Sequence, residues 1–353
     1  MTTTTTGEPG PLAARADRPA ATRLVWRRAA TALWYQHRTA LISLGAMAGA
    51  LAVAMPIVAL QARHFYAPYL RHGCTVDSSS AYCLSAPPDQ YVAVLGILAL
   101  GLLPLLIGAF LGAPLLASEW ETGTWRFAWA QGLGRTRWIA AKLTLLTAAV
   151  TGTGLLLNLL SSWLLWQYNG IGDGDGSRWQ SLSHYGVIGF TTMFVVAFTI
   201  GVFAGAVIPR VVAASAVTTA VMVGWLFGWD EIGVAILRVA PVTSRFGPGS
   251  FQSVGSVVNG TQGVTGGPLG GAWVLRGWIG GPAGQPVPRA VPRMYLSGHG
   301  PAQWLSAHHA FVWASYQPAG RFWMFSTLMT GAPLVLAAAL LAITVWLVHR
   351  RHA

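Results

Sequence analysis

Long charge-free apolar runs alternate along this chain with short polar stretches that carry arginine. A hydrocarbon core about 30 Å thick takes about 20 apolar residues of helix to cross. Six windows reach that length without an acid, a lysine or an arginine: Thr39–Ala62, Tyr91–Ala117, Leu143–Tyr168, Tyr185–Pro209, Val211–Trp229 and Phe322–Val348. The fifth is the shortest, and Pro209-Arg210 divides it from the fourth. A soluble core has no use for so many uncharged stretches of this length. The pattern therefore predicts an all-α polytopic membrane protein with six transmembrane helices.

Composition agrees. The chain is 54% hydrophobic and 9% charged, against roughly 25% charged for a soluble domain. A net charge of +12 points to nucleic acid in a soluble protein, but here its distribution reads as topology. Arg23, Arg27, Arg28 and Arg38 precede the first span; Arg126, Arg135, Arg137 and Lys142 lie between the second and third. Arg210 follows the fourth, and Arg350 and Arg351 close the chain, whereas the short loops on the other side hold only Arg63, Arg71 and Arg178. Basic residues in short loops mark the cytoplasm, so both termini are expected there and no nucleic-acid partner is.

Residues 1–22, rich in Thr, Pro and Ala, are expected to be a disordered cytoplasmic tail, and residues 23–353 a single transmembrane domain. The first apolar run starts too late and runs too long for a cleavable signal peptide. Between Arg23 and Arg38 a helix would gather Arg23, Arg27 and Arg38 on one side, with Val25, Trp26 and Leu33 on another. That is the pattern of a helix lying in the membrane interface, although the segment could also simply extend span one. Cys74 and Cys83 fall in the first external loop, where an oxidising compartment favours a disulfide over free thiols or a metal site. Asp173 and Asp175, among glycines, lack the remaining ligands of a calcium loop. The segment 230–321, rich in Gly and Pro, reads as an external cap or gate with short helical pieces. The run Tyr316–Trp323 reads as an aromatic anchor for span six.

Chemistry is sparse. With no Asp, Glu, Lys or Arg inside the six windows, an intramembrane enzyme has no catalytic set and a proton-coupled transporter lacks its usual ionisable side chains. A Walker loop needs Gly-Lys-Ser/Thr, and the single lysine, Lys142, stands between Ala141 and Leu143. If this chain moves something uphill, the energy comes from another one.

The stretch from Ser118 to Lys142 is the exception to the plain spans. Ser118 and Glu121 have the spacing of a capping box, or Glu119 and Glu121 continue span two. Thr122-Gly123-Thr124 breaks the helix. Trp125–Gln131 is long enough for two further turns, and Gly132 and Gly134 end them. A short crosswise helix between two spans follows, against the plainer alternative of a basic loop with aromatic anchors.

This segment resembles the first cytoplasmic loop of ABC-2-type transporter permeases, whose pattern runs roughly E-R-E-x-G-T, an apolar helix, P-x-S/T-R and later G-K. Glu119, Glu121, Gly123 and Thr124 match the first part, Arg135 the arginine, and Lys142 the closing lysine; Trp120 and Gly132 depart from it. The resemblance extends to an interfacial helix, six spans and a long segment before the last. It implies a permease subunit of an ATP-driven exporter in the bacterial plasma membrane, and the charge-free spans suggest an apolar or amphipathic substrate. It also implies a second permease, identical or not, and two copies of a cytoplasmic ABC ATPase that bind the ATP and Mg, this chain holding no cofactor. Trp125–Gln131 would be the coupling helix that docks on the ATPase through Trp125, Phe127 and Trp129, with Glu119, Glu121, Gly123, Thr124 and Arg135 around it. The alternative is a partner-independent secondary transporter or channel.

Overall fold

The computed structural model describes residues 31–64 in part, then 101–123, 135–168, 189–247, 250, 269, 272–286 and 301–350. Its elements in chain order are α1 (Leu41–Val58), α2 (Leu103–Thr122), α3 (Arg135–Tyr168), α4 (Gly189–Val207), α5 (Val211–Leu237), β1 (Val242–Phe246), β2 (Trp273–Gly280), α6 (Pro301–Ala307), β3 (Phe311–Gln317) and α7 (Phe322–Arg350). All the helices except α6 are long and apolar enough to cross a membrane. The expected α-helical polytopic architecture, with six helices able to cross a membrane, is what the chain adopts.

Helix ends differ from the charge-free windows, for one reason. A window stops at the first charge, but a helix keeps its hydrogen bonds into the headgroup region. So α2 carries on past Ala117 to Thr122, α5 past Trp229 to Leu237, and the apolar part of α3 begins at Ile139. The break at Pro209 is as expected: a residue before proline is pushed out of the helical region, and α4 ends at Val207 just ahead of it. The tail 1–22, most of 23–38, the cysteine loop, Asp173, Asp175 and residues 124–134 lie outside the described residues.

α4 is the axis of the bundle. It touches α2, α3, α5 and α7, and 89% of it is buried. The contact with α2 is backbone on backbone. A Cβ at Gly201 would overlap the Gly108 carbonyl oxygen, and one at Gly205 the carbonyl oxygen of Ala113. α2 meets α4 through a π-helical stretch, Ile107–Gly112. Pro114, just after it, has no N–H to give Phe110, and its ring crowds that carbonyl. Widening the preceding turn relieves both problems. α5 secures the widened stretch from its other side, where the Ser215 hydroxyl donates to the Ala109 carbonyl at 2.7 Å.

The segment between α5 and α7 departs from expectation. Of the short helical pieces foreseen there, α6 and one turn of 3-10 helix at Ala319–Arg321 are found, but the described part is chiefly a three-stranded antiparallel sheet in the order β1-β3-β2. Aromatic and β-branched residues that alternate between two faces favour strand, and Phe311-Val312-Trp313-Ala314-Ser315-Tyr316 does this with period two. Val312 and Ala314 turn to one face with Val274 and Ile279, and Leu305 of α6 completes their core. The sheet is rooted in the bundle at one corner. Trp273, at the start of β2, is buried with Trp229 and Leu237 of α5 and Phe322, Phe325 and Met329 of α7.

Candidate functional site: the joint at the end of α2

α2 does not stop at Ser118. The Ser118 hydroxyl donates back to the Pro114 carbonyl at 2.6 Å, and Thr122 does the same to Ser118 at 2.7 Å. Ser118 and Glu121 therefore form no capping box; the helix runs on, and the two acids ride on its last turn. Gly123 then ends it in the left-handed conformation, φ 70°, which disfavours any side chain by roughly 1–2 kcal/mol.

The two acids do different jobs. Glu119 is buried, only 4% exposed, and accepts a hydrogen bond from Lys142 Nζ at 2.5 Å. The same ammonium donates to the Leu115 carbonyl at 3.1 Å. Lys142 lies three residues inside the apolar part of α3, about 4.5 Å along the helix. A charge at that depth needs a partner, and each of these residues supplies it for the other. The pair clips α2 to α3 on the side where the two helices are connected. Trp120, which stands where the family pattern has a basic residue, packs against the hydrophobic core.

Glu121 is exposed and reaches a third helix. Its Oε2 accepts from the Val211 amide at 2.9 Å. That amide is the first of α5, whose N-cap residue, Arg210, makes no side-chain cap. A carboxylate beside a helix N-terminus satisfies an otherwise unbonded N–H and meets the positive end of the helix dipole. So one turn of α2 fastens both α3 and α5.

The other end of α5 is fastened too. Gln317 of β3 is fully buried, and its Nε2 donates to the carbonyls of Leu237 and Val239, each at 2.9 Å. Arg321 donates to the Ala240 carbonyl at 2.7 Å and to Gln317 Oε1 at 3.2 Å. These side chains take up carbonyls that a helix C-terminus leaves unsatisfied. α5, with 27 residues, is about 40 Å long. It is a rod gripped by α2 at one end and by the sheet at the other.

Of the residues singled out in the sequence, Glu119, Glu121 and Gly123 come together in this joint, and Arg135 is the first residue of α3. Thr124, Trp125, Phe127, Trp129 and the pair Cys74 and Cys83 lie outside the described residues. Sequence reasoning missed two partners: Lys142 as the counter-ion of Glu119, and the Val211 amide as the target of Glu121. A signal for the first was present. The chain's lone lysine and two of its ten acids bracket a single loop, and burial forces such charges to pair.

Fold and joint together define a multi-pass membrane protein whose helices are clasped where α2 and α3 are connected. Residues 44–232 match the family model described as ABC-2 membrane transporter related. That is more than half of the 353-residue chain, and the chain belongs to this family. The match takes in most of α1, all of α2, α3 and α4, and α5 as far as Ile232, leaving the sheet and α7 outside it. No curated protein and no solved structure matches the chain.

Proposed function

We propose that this chain is the permease subunit of an ATP-driven exporter and takes its energy from a separate ABC ATPase that docks on the α2–α3 connection. Membership of the family supports a transporter permease component. The observation that carries the finer reading is the double fastening of α2: Glu119 to Lys142 of α3, and Glu121 to the first amide of α5. A helix docked by a partner between Gly123 and Arg135 would pull on the one turn that holds both neighbours. Basic residues around this connection favour the cytoplasmic side by the positive-inside rule, where an ATPase works.

In this reading α4 is the fixed axis, since backbone contact along its length leaves no room to slide. α2 and α5 move as levers against it, and the exported molecule is apolar or amphipathic. A second copy or a related permease completes the path, with one ATPase per permease. The partner is tested by affinity purification of the tagged chain from native membranes in mild detergent. An ATPase of ABC type co-purifies, and substituting Trp125, Phe127 and Trp129 together with alanine releases it while the chain still inserts. A chain that emerges alone across several mild detergents, with no ATPase activity in the eluate, overturns the proposal.

A further inference from the structure

The sheet carries positive charge and no acid of its own. From Ile232 to the C-terminus the chain has no Asp or Glu, while Arg238–Arg321 contains six arginines. Among the described residues the ion pair found is the distant Glu119–Lys142. Two of the arginines, Arg245 and Arg276, stand exposed on the sheet face turned away from α6. One row across that face reads Arg245, Trp313, Trp278; the next reads Thr243, Ser315, Arg276.

This face is built rather than incidental. The Trp278 and Trp313 rings stack with centroids 6.1 Å apart and planes 12° from parallel. Both indole N–H groups are anchored, Trp313 to the Gly281 carbonyl at 3.1 Å and Trp278 to that of Gly284 at 3.0 Å. The Arg276 guanidinium lies 5.8 Å from the Trp278 ring, and that of Arg245 lies 5.3 Å from the Phe311 ring. Arg245 spends one N–H on the Pro282 carbonyl at 3.3 Å. The remaining donors of both arginines meet no carboxylate among the described residues.

Position identifies the partner. On this same face Gln317 and Trp273 are buried against the ends of α5 and α7. The Arg276 row lies two residues of β3 further out and the Trp313 row four, which is about 7 and 14 Å along a strand. The headgroup zone of a bilayer is about 5–8 Å deep on each side, and an arginine side chain spans much of the difference. Tryptophan favours that zone, and a guanidinium pairs with phosphate through two parallel hydrogen bonds. We infer that the face formed by Arg245, Arg276, Trp278 and Trp313 binds the phosphate headgroup of an anionic phospholipid in the leaflet beside the sheet. This rests on the chain being a membrane protein and is independent of any ATPase partner.

Native mass spectrometry of the purified chain tests it without ATP or a partner. Phosphatidylglycerol and phosphatidylcholine with the same acyl chains are titrated against wild type, R245Q/R276Q and R245K/R276K, each first checked for a monodisperse elution. The tightest phosphatidylglycerol binding weakens at least tenfold in the glutamine pair and less than threefold in the lysine pair, and phosphatidylcholine binds all three alike. Equal binding of the two lipids by wild type, or unchanged phosphatidylglycerol binding by the glutamine pair, overturns the inference. Displacement of the lipid by equimolar inorganic phosphate also overturns it, because the site would then take a soluble anion.

Discussion

α4 and α5 have nearly the same mean hydropathy, yet 89% of the apolar stretch of the first is buried inside the chain and 17% of that of the second. The first is held by packing along its whole length, with Gly201 and Gly205 pressed on the backbone of α2. The second presents Val212, Val217, Val221 and Phe227 outward, packs on α4 and α2 through one side only, with Ala214 and Met222 buried there, and is tied at its ends by Glu121 at one terminus and by Gln317 and Arg321 at the other. In lipid, burying apolar surface gives little drive to bring helices together. Close backbone approach and polar contacts decide position instead. A helix packed on one side and tied at both ends can tilt when either end is pulled; a helix packed on every side cannot.

Four substitutions, with a rescue for the first and a control for the second, probe this contrast. Lys142→Met leaves Glu119 buried without its cation, and breaking a buried pair costs about 3–5 kcal/mol. The thermal unfolding midpoint in detergent should fall sharply, and Glu119→Leu added to Lys142→Met should recover most of the loss. Gly201→Val pushes a branched side chain into the α2 backbone, where overpacking costs about 3 kcal/mol; folded yield should collapse. The same change at Gly224 of α5, where a Cβ meets nothing within 4 Å, should leave it intact, and equal yields would erase the distinction between the two helices. Gln317→Leu strands the carbonyls of Leu237 and Val239, for about 1–3 kcal/mol. Limited proteolysis should then cut first in the turn after α5. Glu121→Ala removes an exposed cap worth about 1 kcal/mol, so the chain should fold and insert almost normally while transport by the assembled complex falls at least tenfold.

Much of the architecture was legible because membrane thickness sets a length that charge-free runs reveal directly. The six spans and the break at Pro209 follow from that length and from proline chemistry. What length cannot show is where a helix ends beyond the first charge, so the windows for α2 and α5 fall short, and whether Glu119 and Glu121 cap a new helix or continue α2 stays open in the sequence. Nor can it show which helix is central, because glycine and alanine are plentiful in both α4 and α5. The joint was half legible: Glu119, Glu121, Gly123 and Lys142 all stood out, but pairing Glu119 with Lys142 needs the packing of α2 against α3. The sheet was missed because a search for long apolar windows ignores period two, and the strands sit among glycines and prolines that read as loop.

Hydrogen exchange on the complex with its ATPase, with and without ATP and vanadate, tests the central claim most directly. Exchange reports local opening. If α5 is a rod worked from its ends, nucleotide trapping changes exchange at the turn Ile208–Val211 and in the turn 238–240, while amides of α4 from Phe194 to Ala204 stay protected. In Glu121→Ala the response at 238–240 disappears. Unchanged exchange at both turns on trapping, or an equal change throughout α4, would contradict the account.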